Sequence, residues 1–111
     1  MSPQAISDQL RRRGVDLLTA IEDGRKELQD DELLERAGSL GRVTFTQDIR
    51  FKSMAEEWQR SRRPFAGLLF GHQLGGTIGH FVRDLELIAK ASEPEEWHNI
   101  VEYLPFPTRK A

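Results

Sequence analysis

The chain has 111 residues, of which 38% are hydrophobic and 31% charged, so it is long enough for one domain with a core and short for two. It contains no cysteine, which excludes disulfides, a thiol nucleophile and a cysteine-ligated metal site, and which suits a reducing cytoplasm. The formal net charge of −2 does not indicate nucleic-acid binding by bulk electrostatics, and no apolar run is long enough to span a membrane. We therefore expect a single cytoplasmic domain over residues 1–111.

Hydrophobic periodicity divides the chain into helices and strands that follow one another in turn. The predicted elements are a helix over 3–13, a strand over 15–19, a helix that Asp30 or Asp31 caps and Gly41 ends, a strand over 42–46, a helix over 49–61, a strand over 66–70, a helix from Thr77 to Ala91 and a strand over 100–104. Single helices between strands favour right-handed crossovers. The prediction is an α/β fold with a mostly parallel sheet of about four strands and helices on both faces.

The stretch from Arg42 to Asp48 is the centre of this prediction. The predicted strand is followed by a helix that begins just after Asp48. In a parallel sheet, ligands and catalytic groups collect at the carboxyl ends of the strands. Carboxylates held by separate loops at such an edge are the ligands that Mg²⁺ and Mn²⁺ prefer. Asp48 and Asp31 are the candidates for such a site, and capping of the following helices is the alternative explanation of both.

Three histidines are weaker candidates. His72 lies just past the third predicted strand, where a role as a base, a metal ligand or a phosphate contact competes with that of a hydrogen-bonded loop residue. His80 and His98 lie in helical segments without a partner at metal-ligand spacing, so we assign them no role.

Two arginine clusters stand out from the balanced composition, Arg11, Arg12 and Arg13 in one and Arg60, Arg62 and Arg63 in the other. One interpretation is that they solvate the outer faces of helices. The other is that they contact the backbone of RNA.

The sequence resembles the small bacterial PIN-like domains. The resemblance rests on the segments 10–19 and 31–37, on Gly41 to Asp48 with its threonine-x-aspartate motif, and on the half from Ala66 to Leu104. It covers most of the chain and implies a three-layer, Rossmann-like PIN fold.

PIN domains are commonly ribonucleases that depend on Mg²⁺ or Mn²⁺, and many are toxins of toxin-antitoxin pairs. The resemblance implies that Asp48 is a metal ligand as the aspartate of the motif, with Asp31 as the acid that opens the preceding helix. It also implies RNA as substrate and an antitoxin-like protein as partner.

The sequence departs from the family pattern at two places. Family members usually begin with a strand that carries an aspartate, and here only Met1 and Ser2 precede the first helix. They often carry a second acid two residues after the motif aspartate, where this chain has Arg50, whose guanidinium repels a cation. These departures predict weak metal affinity and low or absent nuclease activity.

The alternative function is a non-catalytic interaction module. Without a leading strand, the strands over 15–19 and 42–46 either pair with each other or leave an edge that a second chain covers, as in a homodimer. A further interpretation is that a longer natural protein supplies the leading strand.

Overall fold

The computed structural model describes residues 3–25 and 27–107, which form helices on both faces of a parallel sheet. Its elements are α1 (Pro3–Arg12), α2 (Asp30–Leu40), β1 (Thr44–Thr46), α3 (Ile49–Arg60), β2 (Leu68–Gly71), α4 (Ile78–Ala91), a 3-10 turn (Pro94–Trp97) and β3 (Val101–Leu104). The predicted helices are confirmed to within one or two residues. None of the helices in the described part of the chain is long and apolar enough to cross a membrane.

In the part of the chain that the structure describes, the sheet has three strands in the order β1-β2-β3, all parallel, rather than the four that we predicted. In the register of the sheet, Thr46, Phe70 and Tyr103 form one row across the strands. The α/β class with a parallel sheet is thus confirmed, and the strand count is corrected.

The predicted strand over 15–19 is an irregular segment that pairs with no strand among the residues that the structure describes. Val15 and Leu17 pack against the core, while Asp16 and Leu18 are exposed. The segment was expected to be buried on both faces because it is mostly apolar, but it buries only alternate residues. At its start, the N–H of Val15 donates to the carbonyl of Leu10 at 3.0 Å and so ends α1. At its end, the N–H of Thr19 donates to the carboxylate of Glu22 at 3.0 Å, within a turn.

The alternation of side chains along the strands divides the core into two layers. On one face, α1 and α4 cover Phe45, Leu69 and Leu104. On the other face, α2 and α3 cover Leu68 and Phe70. The apolar stripe of α3 was predicted to be core, and its members Phe51, Ala55 and Trp58 are buried.

The helices on the second face run opposite to the strands, which fixes which helix ends lie at which edge. α3 begins directly after β1 ends, and α2 ends at Gly41, just before β1 begins. The first turns of α2 and α3 therefore lie at the carboxyl edge of the sheet, and their last turns lie at the amino edge.

Candidate functional site

The carboxyl edge of the sheet collects the loops that follow the three strands. Asp48 comes two residues after β1, and His72 comes directly after β2. Because β1 and β2 are hydrogen-bonded neighbours, these two residues leave adjacent strands at the same edge.

Asp48 is fixed by the start of α3. Its backbone N–H donates to the hydroxyl of Thr46 at 3.1 Å, and its Oδ1 accepts from the backbone N–H of Arg50 at 2.8 Å. The expectation that Asp48 caps the helix is confirmed. Its side chain remains 45% exposed, so the carboxylate keeps oxygen lone pairs for a further ligand.

Asp30 is the carboxylate on which Asp48 acts. Asp30 is the first residue of α2, which places it at the same edge, and it is half-buried. Its partial burial raises the pKa of the Asp30 carboxyl above the ordinary value, and the negative charge of Asp48 raises this pKa further. Two carboxylates from separate elements thus repel each other across the end of β1.

Asp31 lies beside this pair and is exposed. The charge of Asp31 also raises the pKa of Asp30, although less than burial and the charge of Asp48 do. The predicted capping role of Asp30 or Asp31 is wrong, because the residue that precedes α2 as its cap is Gln29, whose N–H donates to Glu32 at 3.2 Å. The capping explanation therefore accounts for Asp48 but not for either acid of α2.

Arg50 brings a positive charge to the two carboxylates. Its Nε lies 3.8 Å from Oδ1 of Asp48, and its charge lowers the pKa of Asp30, against the upward effect of burial. The side chain is 90% exposed, so solvent screens this contact and the guanidinium can swing away.

Within residues 3–25 and 27–107, no three His, Cys, Asp or Glu side chains are grouped so that they could hold a metal ion. A hard cation at Asp48 and Asp30 would therefore take most of its ligands from water.

The arginine cluster that ends α3 lies at the amino edge, opposite to Asp48. Arg60 pairs with Glu57 at 2.6 Å, and Arg63 pairs with Glu35 while its guanidinium lies 3.6 Å above the ring of Trp58. A shallow cleft of about 230 Å³ lies beside this cluster, lined by Gln59, Arg62, Arg63 and Asn99.

The cluster at the end of α1 lies toward the same amino edge. The chain continues from it to Asp16, which pairs at 3.4 Å with Arg42, just before β1. Arg11 pairs with Glu22, whose pKa this hydrogen bond lowers to about 2, and Arg13 pairs with Glu86 at 2.9 Å. The exposed Arg12 completes the cluster. Neither arginine cluster shares an edge with the candidate site.

The three histidines have separate surroundings. Nδ1 of His72 accepts from the backbone N–H of Leu74 at 3.0 Å, and Nδ1 of His80 accepts from the backbone N–H of Thr77 at 3.4 Å in the cap of α4. His98 ends the 3-10 turn at the amino edge and is exposed. Of the three, His72 is the one that directly follows a strand at the carboxyl edge.

A polar cluster that the sequence did not reveal lies one turn inside α3. Lys52 Nζ lies 3.1 Å from Oε1 of Glu56 and donates to the hydroxyl of Tyr103 at 3.1 Å, and that hydroxyl donates to Oε2 of Glu56 at 2.9 Å. The hydrogen bond that Lys52 donates to Tyr103, and then the one that it donates to Glu56, raise the pKa of Lys52, and Lys52 in turn lowers the pKa of Glu56. The available signal was the i,i+4 spacing of Lys52 and Glu56, which indicates an ion pair but not the third partner on β3.

Comparisons of the chain with models of protein families, with curated proteins and with solved structures give no significant match.

Proposed function

We propose that the chain is a PIN-like domain and that its carboxyl edge is a low-affinity divalent-cation site for the cleavage of RNA. The observation that carries this proposal is the pair of carboxylates at the end of β1, where partial burial and then the charge of Asp48 raise the pKa of Asp30. A carboxyl group with a raised pKa beside a second carboxylate, at the carboxyl edge of a parallel sheet, is a candidate for function.

The two carboxylates can supply part of the oxygen ligands that a hard cation needs, and water can supply the others. Asp48 and Asp30 would hold Mg²⁺ or Mn²⁺. Such a cation would lower the pKa of a water bound to it and would neutralise negative charge on the phosphate. Asp48 is positioned for this because its backbone N–H and one carboxylate oxygen are already tied to Thr46 and Arg50. The side chain thus presents its remaining lone pairs in a fixed direction, which reduces the entropy lost on binding.

Arg50 sets the upper limit of the cation affinity. Its guanidinium competes for Asp48 and adds one positive charge where a cation would bind. The arginine can also swing toward a phosphate oxygen of RNA, because the side chain is almost fully exposed. We therefore expect the site to bind a free cation weakly and to bind it more tightly when a phosphodiester is present.

Cleavage of a fluorogenic single-stranded RNA in the presence of Mn²⁺ tests the proposal. We expect slow cleavage by the natural chain, at least tenfold less by Asp48→Asn and Asp30→Asn, and little change in Asp31→Asn, which removes the same charge one residue along α2. Equal cleavage by Asp48→Asn and the natural chain would refute the assignment of the site.

The two arginine clusters are not proposed to contact the RNA that is cleaved. They lie at the amino edge, and four of the six arginines are engaged in ion pairs, namely Arg11, Arg13, Arg60 and Arg63. The antitoxin-like partner and the cytoplasmic location stay predictions.

A second candidate function is pairing with another chain through the outer edge of β1. The N–H of Thr44 donates toward β2, to Gly67 at 3.1 Å, so the backbone groups of Val43 and Phe45 face outward. Among residues 3–25 and 27–107, the strand order β1-β2-β3 leaves β1 at the edge of the sheet. An unpaired strand edge is a template for a strand of a second copy.

Sedimentation velocity over a wide concentration range tests this second candidate. A dimer that Phe45→Pro abolishes, while the monomer keeps its circular-dichroism spectrum, would support edge pairing. A monomer at the highest concentration would exclude the homodimer.

A further inference from the structure

One row of the sheet ends in a half-exposed aromatic side chain, and Phe70 of this row packs on the face that α2 and α3 cover. Thr46, Phe70 and Tyr103 stand side by side on β1, β2 and β3. Phe70 is buried, whereas Tyr103 is 49% exposed on the edge strand. Their rings meet edge to face, with centroids 5.8 Å apart and an interplanar angle of 83°. An exposed ring thus continues a buried aromatic layer out to solvent.

Tyr103 is held in place by polar contacts. Its hydroxyl bridges Lys52 and Glu56, and Nζ of Lys52 also lies 5.3 Å from the centroid of the tyrosine ring. Nζ of Lys52 therefore lies beyond the hydroxyl end of the ring, and about half of the Tyr103 side chain stays exposed. Because the ring is already fixed, a ligand that stacks on it does not have to immobilise it.

His72 is a second exposed ring in the same neighbourhood. It lies edge to face with Phe70, with centroids 6.2 Å apart, so both exposed rings contact the same buried ring. Nδ1 of His72 accepts from Leu74, so in the neutral imidazole the proton is on Nε2. This leaves an N–H donor on an exposed side chain that contacts Phe70.

We propose that Tyr103 is a stacking platform for an unpaired base of single-stranded RNA, with Nε2 of His72 as a donor to that nucleotide. Every base has a face that stacks on an aromatic ring, and single-stranded RNA is recognised in this way on sheet surfaces. This inference rests on the proposed function, since it gives the carboxylate pair its substrate class.

The position of Tyr103 suits a nucleotide next to the scissile bond. Two strand spacings separate it from Thr46, a distance of roughly 10 Å. Asp48 follows Thr46 by two residues at the carboxyl edge. A strand of RNA with one base on Tyr103 can therefore place a phosphodiester within one or two nucleotides at Asp48 and Asp30.

The test measures RNA binding without any divalent ion. An eight-nucleotide oligoadenylate that carries one 2-aminopurine is titrated with the protein in EDTA, and both anisotropy and 2-aminopurine fluorescence are followed. We expect Tyr103→Leu to bind about tenfold to a hundredfold more weakly and to lose the quenching that stacking causes. Tyr103→Phe keeps the ring and is expected to keep the quenching.

Controls separate stacking from loss of structure. Thermal unfolding followed by circular dichroism reports whether each variant folds, and His72→Ala provides a second probe of the same surface. Leu87→Ala changes an exposed side chain of α4, which packs on the opposite face, and is expected to bind like the natural chain. A folded Tyr103→Leu with natural affinity and quenching would overturn the proposal, as would a natural chain that does not bind the oligonucleotide.

The outcomes for stacking and for the cation site are distinguishable. RNA binding that depends on Tyr103, in a protein that neither binds Mn²⁺ nor cleaves RNA, would support the platform and refute the nuclease. Cleavage that depends on Asp48, with the same KM in Tyr103→Leu, would support the nuclease and refute the platform.

Discussion

The hydroxyl of Tyr103 donates to Oε2 of Glu56 at 2.9 Å, which joins the last strand of the sheet to the middle of α3. Lys52, on the same helix, donates to that hydroxyl and pairs with Glu56, so the three side chains are all hydrogen-bonded to one another. This hydrogen-bonded group includes the tyrosine that we propose to bind RNA, and its Lys52 lies one helical turn after Asp48.

Glu56→Gln is expected to destabilise the fold by about 1 kcal/mol at pH 7, the scale of a partly exposed ion pair. Lys52 and then Tyr103 lower the pKa of Glu56 below its ordinary value of 4.5. A carboxyl whose folded-state pKa is lowered contributes stability above its ordinary pKa and loses it as the pH falls through the folded-state pKa. Urea unfolding at several pH values should therefore show a gap between the natural chain and the variant that is full at pH 7 and narrows below pH 4.5. A gap that widens in acid would contradict this assignment.

Asp30→Asn is expected to raise the stability of the fold at neutral pH. The raised pKa of Asp30 means that the folded chain holds this proton more tightly than the unfolded chain does, so the ionised carboxyl opposes folding. That penalty is present at neutral pH and disappears as the pH falls through the folded-state pKa toward the ordinary value of 3.8. Thermal unfolding at pH 7 measures the effect.

Asp31→Asn is the matched control for this prediction. It removes the same charge from an exposed position and is expected to change the free energy of unfolding by less than about 0.5 kcal/mol. If Asp30→Asn lowers the melting temperature instead, the carboxylate of Asp30 is a structural acceptor and not a repelled acid.

Asp84→Ala is expected to destabilise the fold by about 1–3 kcal/mol, because it removes the acceptor of a part-buried N–H. The Asp84 carboxylate is almost fully buried, and its Oδ2 accepts from the backbone N–H of Phe106 at 2.7 Å. Urea unfolding measures the loss, and hydrogen exchange at Phe106 should accelerate. Arg83→Ala removes only the half-exposed partner of Asp84 and should cost at most about 1 kcal/mol. Equal effects of the two variants would show that the ion pair, and not the backbone contact, matters.

Gly67→Ala is expected to destabilise the fold by at least about 2 kcal/mol. Gly67 has a φ of 111°, and a methyl group there would lie 2.5 Å from the carbonyl oxygen of Trp97. Gly38→Ala is the matched control, since the same added methyl on α2 meets no atom within 4 Å. In that helix the substitution should stabilise the fold by about 0.5–1 kcal/mol. Thermal unfolding of both variants compares them, and a Gly67→Ala protein as stable as the natural chain would show that the segment around Trp97 can move aside.

The sequence was sufficient to predict the elements that have a regular pattern of buried apolar residues. The periodic apolar stripe of α3 predicted Phe51, Ala55 and Trp58 as core, and the buried run that ends in Phe70 predicted the central strand. Both are stabilised by their own patterns of apolar residues, so local sequence is enough to place them.

The segment over 15–19 and the acids of α2 could not be placed in this way. An extended half-buried segment and a strand share the same apolar residues, and the difference is a neighbouring backbone to pair with, which is a tertiary property. Asp30 and Asp31 are adjacent in sequence, and only the rotation of α2 against α3 decides which one meets the charge of Asp48. The bond from Tyr103 to Glu56 spans 47 residues, a separation that local patterns do not detect.

A calorimetric Mn²⁺ titration tests, without a substrate, whether Asp48 and Asp30 together bind a divalent cation. The proposal predicts weak saturable binding by the natural chain, loss of that binding in Asp48→Asn and in Asp30→Asn, its retention in Asp31→Asn, and tighter binding by Arg50→Ala. The absence of binding by the natural chain, or equal binding by all of these variants, would contradict it.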